Sequence, residues 1–527
     1  MNMKDNTPES IVRKVIELCA DCDYCRDIVA DLPCLFFRKL YLLYEKEHER
    51  NEPITSKDFR LLVDLCNMCG LCPCSQVRAD VRKAKDAFVE RDGLKTSLRV
   101  LEDVQRIGKV CGAYPRLANM VLENGAASSL FKRLAGIHAD RKFPEIPSEG
   151  FTAWAKKRGL DRMRDVPGRK IAYFAGCTAQ YYFPEVARAA VEVMEQNGMN
   201  VYVPEQKCCG MPSLLEGDRK FTFEMAAFNL EKLSKVVDDG YDIVCSCPTC
   251  GYMLKDMFSD GAYYSDDYRE MLKELQSEYD GDVLKIPVER LKEQVKGGGE
   301  TPFSERSQPD APLRMVVHGH ENFVPLKMIL HGVLRDDSYF ASLDGLKRIK
   351  VATHTYDLGE YLTMLHGAGK LDLRLGPVAD RMAYYAPCHL KQQNIGRPWF
   401  DLLNLVPEIS METVGGTFDC CGISGIMGLK REFHHVSLAM GRHLMEKITK
   451  VAPERLVSDC LSCRIQFNQV LPYKVAHPVE ILRESYRSYG ANAPSPGRPA
   501  AKTGEADAGR QPASSPFPTA RDDHRSS

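Results

Sequence analysis

"KCCGMPSLLEGDRKF" spans residues 207–221 and sets two cysteines side by side ahead of a glycine; "DCCGISGIMGLKRE", residues 419–432, does so again. A bond between the two neighbours is a poor explanation. Adjacent Cα atoms lie about 3.8 Å apart, shorter than the roughly 4.4 Å minimum of a relaxed disulfide. The pair reads instead as two thiolates pointed at one shared object.

Each pair is flanked at matching distances. The first set is Cys177, Cys208, Cys209, Cys247 and Cys250; the second is Cys388, Cys420, Cys421, Cys460 and Cys463, with corresponding cysteines 211 to 213 residues apart. Ten cysteines held in register to two residues make an internal repeat. In the first copy "KIAYFAGC", "NVYVP" and "YDIVCS" read as strands, separated by helical stretches at 184–198 and 218–238. The second copy repeats this with "MAYYAPC", "ISMETV", a helix near 430–450 and "RLVSDC". The expected fold is therefore a pair of α/β units whose cysteines fall past the C-terminal ends of parallel strands, where open sheets gather ligands. Gly210 and Gly422 let the backbone turn close to a bulky group. Helix N-termini after the strands favour thiolate over thiol. Five cysteines per unit is one more than a cubane or a zinc ion needs, which suggests a cluster with bridging thiolates.

Two further groups precede the repeat: Cys19, Cys22 and Cys25 with Cys34 following, and Cys66, Cys69 and Cys72 with Cys74. Three cysteines at C-x-x-C-x-x-C spacing wrap one corner of a cubane, and in two-cluster ferredoxins the fourth ligand serves the other cluster. By that crossing rule Cys19, Cys22, Cys25 and Cys74 hold one [4Fe–4S] cluster, and Cys66, Cys69, Cys72 and Cys34 hold the second. A pair of zinc sites is the competing reading, since C-x-x-C also suits tetrahedral zinc. The fourth ligands depart from the usual run, for Cys34 comes nine residues after Cys25 and Cys74 only two after Cys72.

Composition narrows the class. The chain has 527 residues, 20 cysteines and a formal net charge of −1. Clustered cysteines without a signal-like N-terminus argue for metal ligands over a secreted disulfide scaffold. The balanced charge gives no electrostatic case for nucleic acid, and no stretch reaches the roughly 20 apolar residues of a membrane helix. Cys111 and Cys245 stand outside the groups and read as buried small hydrophobes. His318, His320, His331 and His354 match no metal-binding spacing. His389, beside Cys388, is either structural or a group that tunes a neighbouring cluster by hydrogen bonding or shuttles protons.

The spacing C-x30-CCG-x36-C-x-x-C, with C-x31-CCG-x37-C-x-x-C in the second copy, resembles the CCG domain of heterodisulfide reductase and its relatives. A two-cluster segment followed by two CCG domains is similar to the C subunits of anaerobic glycerol-3-phosphate dehydrogenases, the D subunits of membrane-linked heterodisulfide reductases and the iron–sulfur subunits of glycolate oxidases. "RKFPEIPSEGFTAW", "YYAPCHL", "CCGISGIMGLKRE" and "SDCLSC" look most like the glycerol-3-phosphate group. The resemblance implies two cubane [4Fe–4S] clusters and one or two non-cubane [4Fe–4S] clusters, with zinc in one CCG site as the alternative. It also implies a place in anaerobic respiration, peripheral at the inner face of the cell membrane.

The resulting division is an α+β and α/β chain: a helical two-cluster ferredoxin-like domain (1–110), a connecting helical segment (111–168), a first CCG domain (169–294), a linker (295–312), a second CCG domain with an inserted segment (313–488) and a disordered tail (489–527). Within the connector, residues 114–137 have helix-spaced apolar side chains. They read either as packing between the ferredoxin and CCG regions or as a membrane-surface or partner-docking helix.

No dinucleotide fold or Walker sequence is recognisable; "HGAGKLDL" lacks the strand–turn–helix setting. The expected function is an iron–sulfur subunit passing electrons between a flavoprotein dehydrogenase and a quinone or membrane cytochrome. Two alternatives stand beside it: a heterodisulfide reductase-like catalyst that cleaves a disulfide at the CCG sites, and a zinc-stabilised scaffold.

Overall fold

The computed structural model describes residues 7–22, 34–70, 72, 74–164, 166–278, 328–330 and 332–492. Four helices, Pro8–Ala20, Leu35–His48, Ser56–Asp64 and Ser75–Asp92, form the N-terminal part. Thr7 caps the first through Ser10 N, and Thr55 closes a capping box with Asp58 on the third. Their apolar faces (Val12, Ile16, Leu40, Leu62, Phe88) bury one another and continue into the core beneath the first sheet.

Two four-stranded, wholly parallel sheets follow. The first runs β2-β1-β3-β4, from Met199–Tyr202, Arg169–Phe174, Asp242–Cys245 and Thr355–Asp357. The second runs β6-β5-β7-β8, from Ser410–Thr413, Arg381–Tyr384, Arg455–Val457 and Lys474–Ala476, in the same order. Side chains on a strand alternate between faces, and this alternation joins the units. Ile171, Tyr173, Met382 and Tyr384 point into one shared core, while Ala172 and Phe174 turn to the N-terminal helices and Ala383 and Tyr385 to a third core. All-parallel sheets need cover on both faces; here each unit covers part of the other.

The α/β repeat is thus present, with one correction. Each unit has four strands rather than three, and β4 belongs to the first sheet: Ile243, Val244 and Cys245 pair with Thr355, Tyr356 and Asp357. The inserted segment placed in the second unit, and the boundary at 313, therefore give way. The extra chain lies between the third and fourth strands of the first unit. The linker 295–312 and His318, His320 and His331 lie outside the described residues, as does the tail after 492; the residues 489–492 assigned to that tail instead end the helix Pro478–Asn492. His354 is buried, with Nδ1 2.9 Å from the Lys350 carbonyl oxygen.

Residues 114–137 pack only in part: Ile137 joins a small core with Leu101 and Ile426, but the helices before it are largely uncovered. The helices Val104–Ala113, Pro115–Glu123 and Gly125–Leu134 bury only Gly108 and Ser128. Among the described residues, no helix is long and apolar enough to cross a membrane.

Candidate metal centre

In both sheets the chain winds outward from a central strand in opposite directions, so adjacent strands lead into loops that diverge and leave a crevice at their C-terminal ends. Cys177 follows β1 and Cys247 follows β3, the two strands that flank this crevice. Cys388 and Cys460 follow β5 and β7 likewise. The paired cysteines arrive from the loop after β2 or β6. Gly210 and Gly422 sit at φ +96° and +89°, where an L side chain is strained. What crowds Gly422 is a helix: a Cβ there would meet the Ser437 carbonyl oxygen at 2.1 Å.

All ten CCG cysteines line one cavity of about 250 Å³. Within it Cys208 Sγ lies 3.5 Å from Cys177 Sγ. The Gly422 N–H donates to Cys420 Sγ (3.3 Å) and the Cys463 N–H to Cys460 Sγ (3.5 Å). Cys247 and Cys460 are the N-caps of the helices Pro248–Tyr252 and Leu461–Val470. Hydrogen bonds from Cys208 and Cys250 draw the Cys209 thiol down to about 6, and one from Cys250 draws Cys247 to about 7. Cys421 falls well below the ordinary thiol value through Cys420 and Cys463, with Arg141 adding to the effect. Thiols that donate, Cys250 and Cys463 among them, rise correspondingly. Each set therefore holds at least one thiol low, Cys209 and Cys247 in the first and Cys421 in the second, and the anion is the form that binds metal.

Among the described residues no three His, Cys, Asp or Glu side chains already converge on a single ion. The fit to iron–sulfur clusters rests on donor chemistry: two sets of five thiols, each with an adjacent pair, spread around one enclosed space. Bound there, such clusters supply one-electron steps.

The N-terminal groups divide. Cys34 and Cys74 are the N-caps of Leu35–His48 and Ser75–Asp92. Burial, then repulsion from Cys69 and Cys66, pushes the Cys34 thiol up to about 12, and Cys72 is raised by burial and the same neighbours. Cys34, Cys66, Cys69 and Cys72 are thus brought together. Cys19 is buried, Cys22 half-buried and Cys74 exposed; Cys25 lies outside the described residues, and with it the completeness of the other set.

Residues 67–70 pack on the second CCG set. Asn67 Nδ2 lies 3.9 Å from Cys420 Sγ, and Cys69 is close enough to raise the Cys388 thiol. His389 Nε2 is 3.1 Å from the Met68 carbonyl oxygen, its Nδ1 is 2.9 Å from Thr249 Oγ1, and its ring stacks on Tyr252. Burial lowers its pKa, so the neutral ring donates to Met68 and accepts from Thr249. Of the two readings of His389, the contacts fit the structural one: it ties three parts of the chain together. Cys245 is fully buried, whereas Cys111 is half-buried and lines the cavity.

Arg141 was not found from sequence. Its side chain is fully buried beside Cys421, with Nη1 on Gln466 Oε1 (2.7 Å) and with Nε and Nη2 unpartnered. Its segment is held against the CCGISG loop by the Ile137–Lys430 bridge and by the Arg431 N–H on the Gly136 carbonyl. The only sequence signal was that Arg141 begins the quoted "RKFPEIPSEGFTAW" stretch.

The Cysteine-rich domain family, CCG, matches residues 171–255 and 382–468, which carry all ten cysteines that line this cavity. Lactate utilization protein A 2 of Bacillus cereus is 32% identical over 320 residues, covering 59% of this chain and 97% of the relative. The chain belongs to the CCG-domain iron–sulfur family. Two other family members are similar over more of its length. The C subunit of the anaerobic glycerol-3-phosphate dehydrogenase of Escherichia coli K12 is 21% identical over 403 residues (76% of this chain, 80% of the relative). The B subunit of the fumarate reductase (CoM/CoB) of Methanothermobacter marburgensis is 21% identical over 422 residues (76% and 66%). Similarity to such iron–sulfur subunits supports an electron-transfer role for this CCG protein.

Proposed function

We propose that this CCG protein is the electron-transfer subunit of a dehydrogenase complex, carrying electrons between a flavoprotein dehydrogenase and a quinone or membrane-bound acceptor. The carrying observation is that both CCG cysteine sets line one cavity while residues 67–70 pack on its side. In this reading Cys66, Cys69, Cys72 and Cys34 hold one cubane [4Fe–4S] cluster and Cys19, Cys22, Cys25 and Cys74 another. The ten CCG cysteines hold non-cubane clusters, or a zinc ion in one site. The mostly apolar walls around them strengthen the influence of nearby charges.

The disulfide-cleaving reading draws on the same two-sided cavity and on the relationship to the fumarate reductase (CoM/CoB) protein. Against it, the described residues lining the cavity include no Asp, Glu, Lys or Arg, and Arg141, buried beside Cys421, is the one cation set close to that lining among the groups described above. Anaerobic copurification of the intact complex tests the proposal. Addition of the flavoprotein's substrate should reduce the EPR-active centres of this chain within turnover. A reduced flavin beside centres that stay oxidised would count against it.

A further inference from the structure

The cavity has a second end. Away from the cysteines its wall is apolar, formed by Val104, Ile107, Leu122 and Ile146, with Val100 and Phe131 at the rim. Val100 and Phe131 are half exposed, at 50% and 45%, so the wall runs out to the surface between the helices 104–113, 115–123 and 125–134. The outer faces of those helices are apolar too: Val110, Tyr114, Leu117, Met120, Leu130 and Leu134 stand in solvent, Tyr114 at 71% and Leu134 at 76%. Residues 104–134 carry five basic side chains (Arg106, Lys109, Arg116, Lys132, Arg133) against one acidic, Glu123. Exposed apolar faces fringed by positive charge have the chemistry of helices lying in the interface of an anionic bilayer.

One polar group inside the cavity lacks a partner. Ser424 lines it, and its buried Oγ makes no hydrogen bond. Its backbone lies at φ +48°, a left-handed conformation that non-glycine residues hold only when their surroundings impose it.

We infer that the helices 104–134 seat on an anionic lipid surface, and that the cavity behind them admits a lipid-soluble quinone whose carbonyl accepts a hydrogen bond from Ser424 near the CCG cysteines. The apolar wall suits a prenyl tail. The absence of charged residues among the described lining residues suits a neutral headgroup over a fatty-acid carboxylate or an ionic thiol. The inference rests on the electron-transfer reading for the quinone's role, and on geometry for its place.

The test uses full-length, anaerobically purified protein with vesicles of phosphatidylglycerol or phosphatidylcholine and a photoreactive prenylated azidoquinone. The protein should float with phosphatidylglycerol vesicles, and Leu117→Gln with Leu134→Gln should weaken flotation about tenfold or more. Label should enter Ile107, Phe131 or the 420–426 loop and be competed by unlabelled quinone. Ser424→Ala should weaken labelling about fivefold, the loss of one hydrogen bond, with iron content and EPR spectrum intact. Ile107→Trp should block labelling while leaving flotation unchanged.

Labelling confined to the outer helix faces, or equal in wild type, S424A and I107W, would overturn the port. So would equal binding to both lipids, or flotation that needs a protein partner. Cavity labelling in a protein whose reduced centres are never reoxidised by the quinone would keep the port and remove the electron-transfer reading. Reoxidation by quinone without cavity labelling would do the reverse.

Discussion

His389 Nε2 donates to the carbonyl oxygen of Met68 at 3.1 Å, across 321 residues of sequence. That bond fastens the Cys66–Cys72 loop to the second CCG set, and Thr249 Oγ1 on Nδ1 extends the tie to the first. His389→Ala leaves a buried carbonyl without its donor and a ring-sized void under Tyr252. The expected cost is about 2–4 kcal/mol in anaerobic denaturant unfolding, with broadened EPR signals from the loop's centre. A variant with unchanged stability and unchanged line shape would contradict the tie.

Arg141 places a buried positive charge beside Cys421 with two unpartnered nitrogens. A cation there favours the more reduced, more negative state of whatever the second CCG set binds. Arg141→Met should therefore make the midpoint potential of one centre more negative by tens of millivolts or more, while Arg141→Lys restores part of the shift. EPR-monitored redox titration reads this directly. Equal potentials in wild type and R141M would show the charge to be screened.

Lys430 Nζ meets Glu216 Oε2 at 2.5 Å, with the side chains 7% and 4% exposed. The pair joins the two CCG units. Breaking a buried pair strands one charge, so Lys430→Met should cost about 3–5 kcal/mol, whereas Lys430→Met with Glu216→Leu should recover most of it. Additive losses in the double variant, measured by unfolding, would refute the coupling.

Asp357 caps the helix Leu358–Gly367 and accepts from the Gly359 N–H at 2.8 Å. Burial, then repulsion from Glu360, raises its carboxyl to about 7. The folded state keeps a proton that the unfolded chain releases, so stability falls as pH rises from about 4 to about 7. Asp357→Asn keeps the cap and removes that loss. Its thermal midpoint should exceed wild type more at pH 8 than at pH 5; equal gains at both would contradict the assignment.

The repeat, three of its helices and six of its eight strands were legible because cysteine spacing, helical periodicity and strand alternation are local signals. The fourth strands were not. Tyr356–Leu362, "YDLGEYL", and Ala476–Leu482, "AHPVEIL", are matching stretches in which Glu360 Oε2 accepts the Asp357 N–H and Glu480 Oε2 accepts the His477 N–H. Glu360 lies 110 residues past Cys250, whereas Glu480 lies 17 past Cys463, and that gap hid the correspondence. Arg141 acts on Cys421 and Met68 on His389, each hundreds of residues away, which spacing within one motif cannot reveal. The helices at 104–134 showed their apolar periodicity, but whether those faces are covered depends on tertiary packing.

The measurement closest to the central claim is iron, acid-labile sulfide and zinc on anaerobically purified protein, with EPR of the same sample, for wild type, Cys209→Ser and Cys421→Ser. The account predicts about 16 iron per chain in wild type, or about 12 with one zinc. Each substitution in an iron-bearing CCG site should remove about four iron and its own EPR signal, leaving the others in place. Zinc without iron in wild type, or unchanged iron and unchanged spectra in both variants, would contradict it.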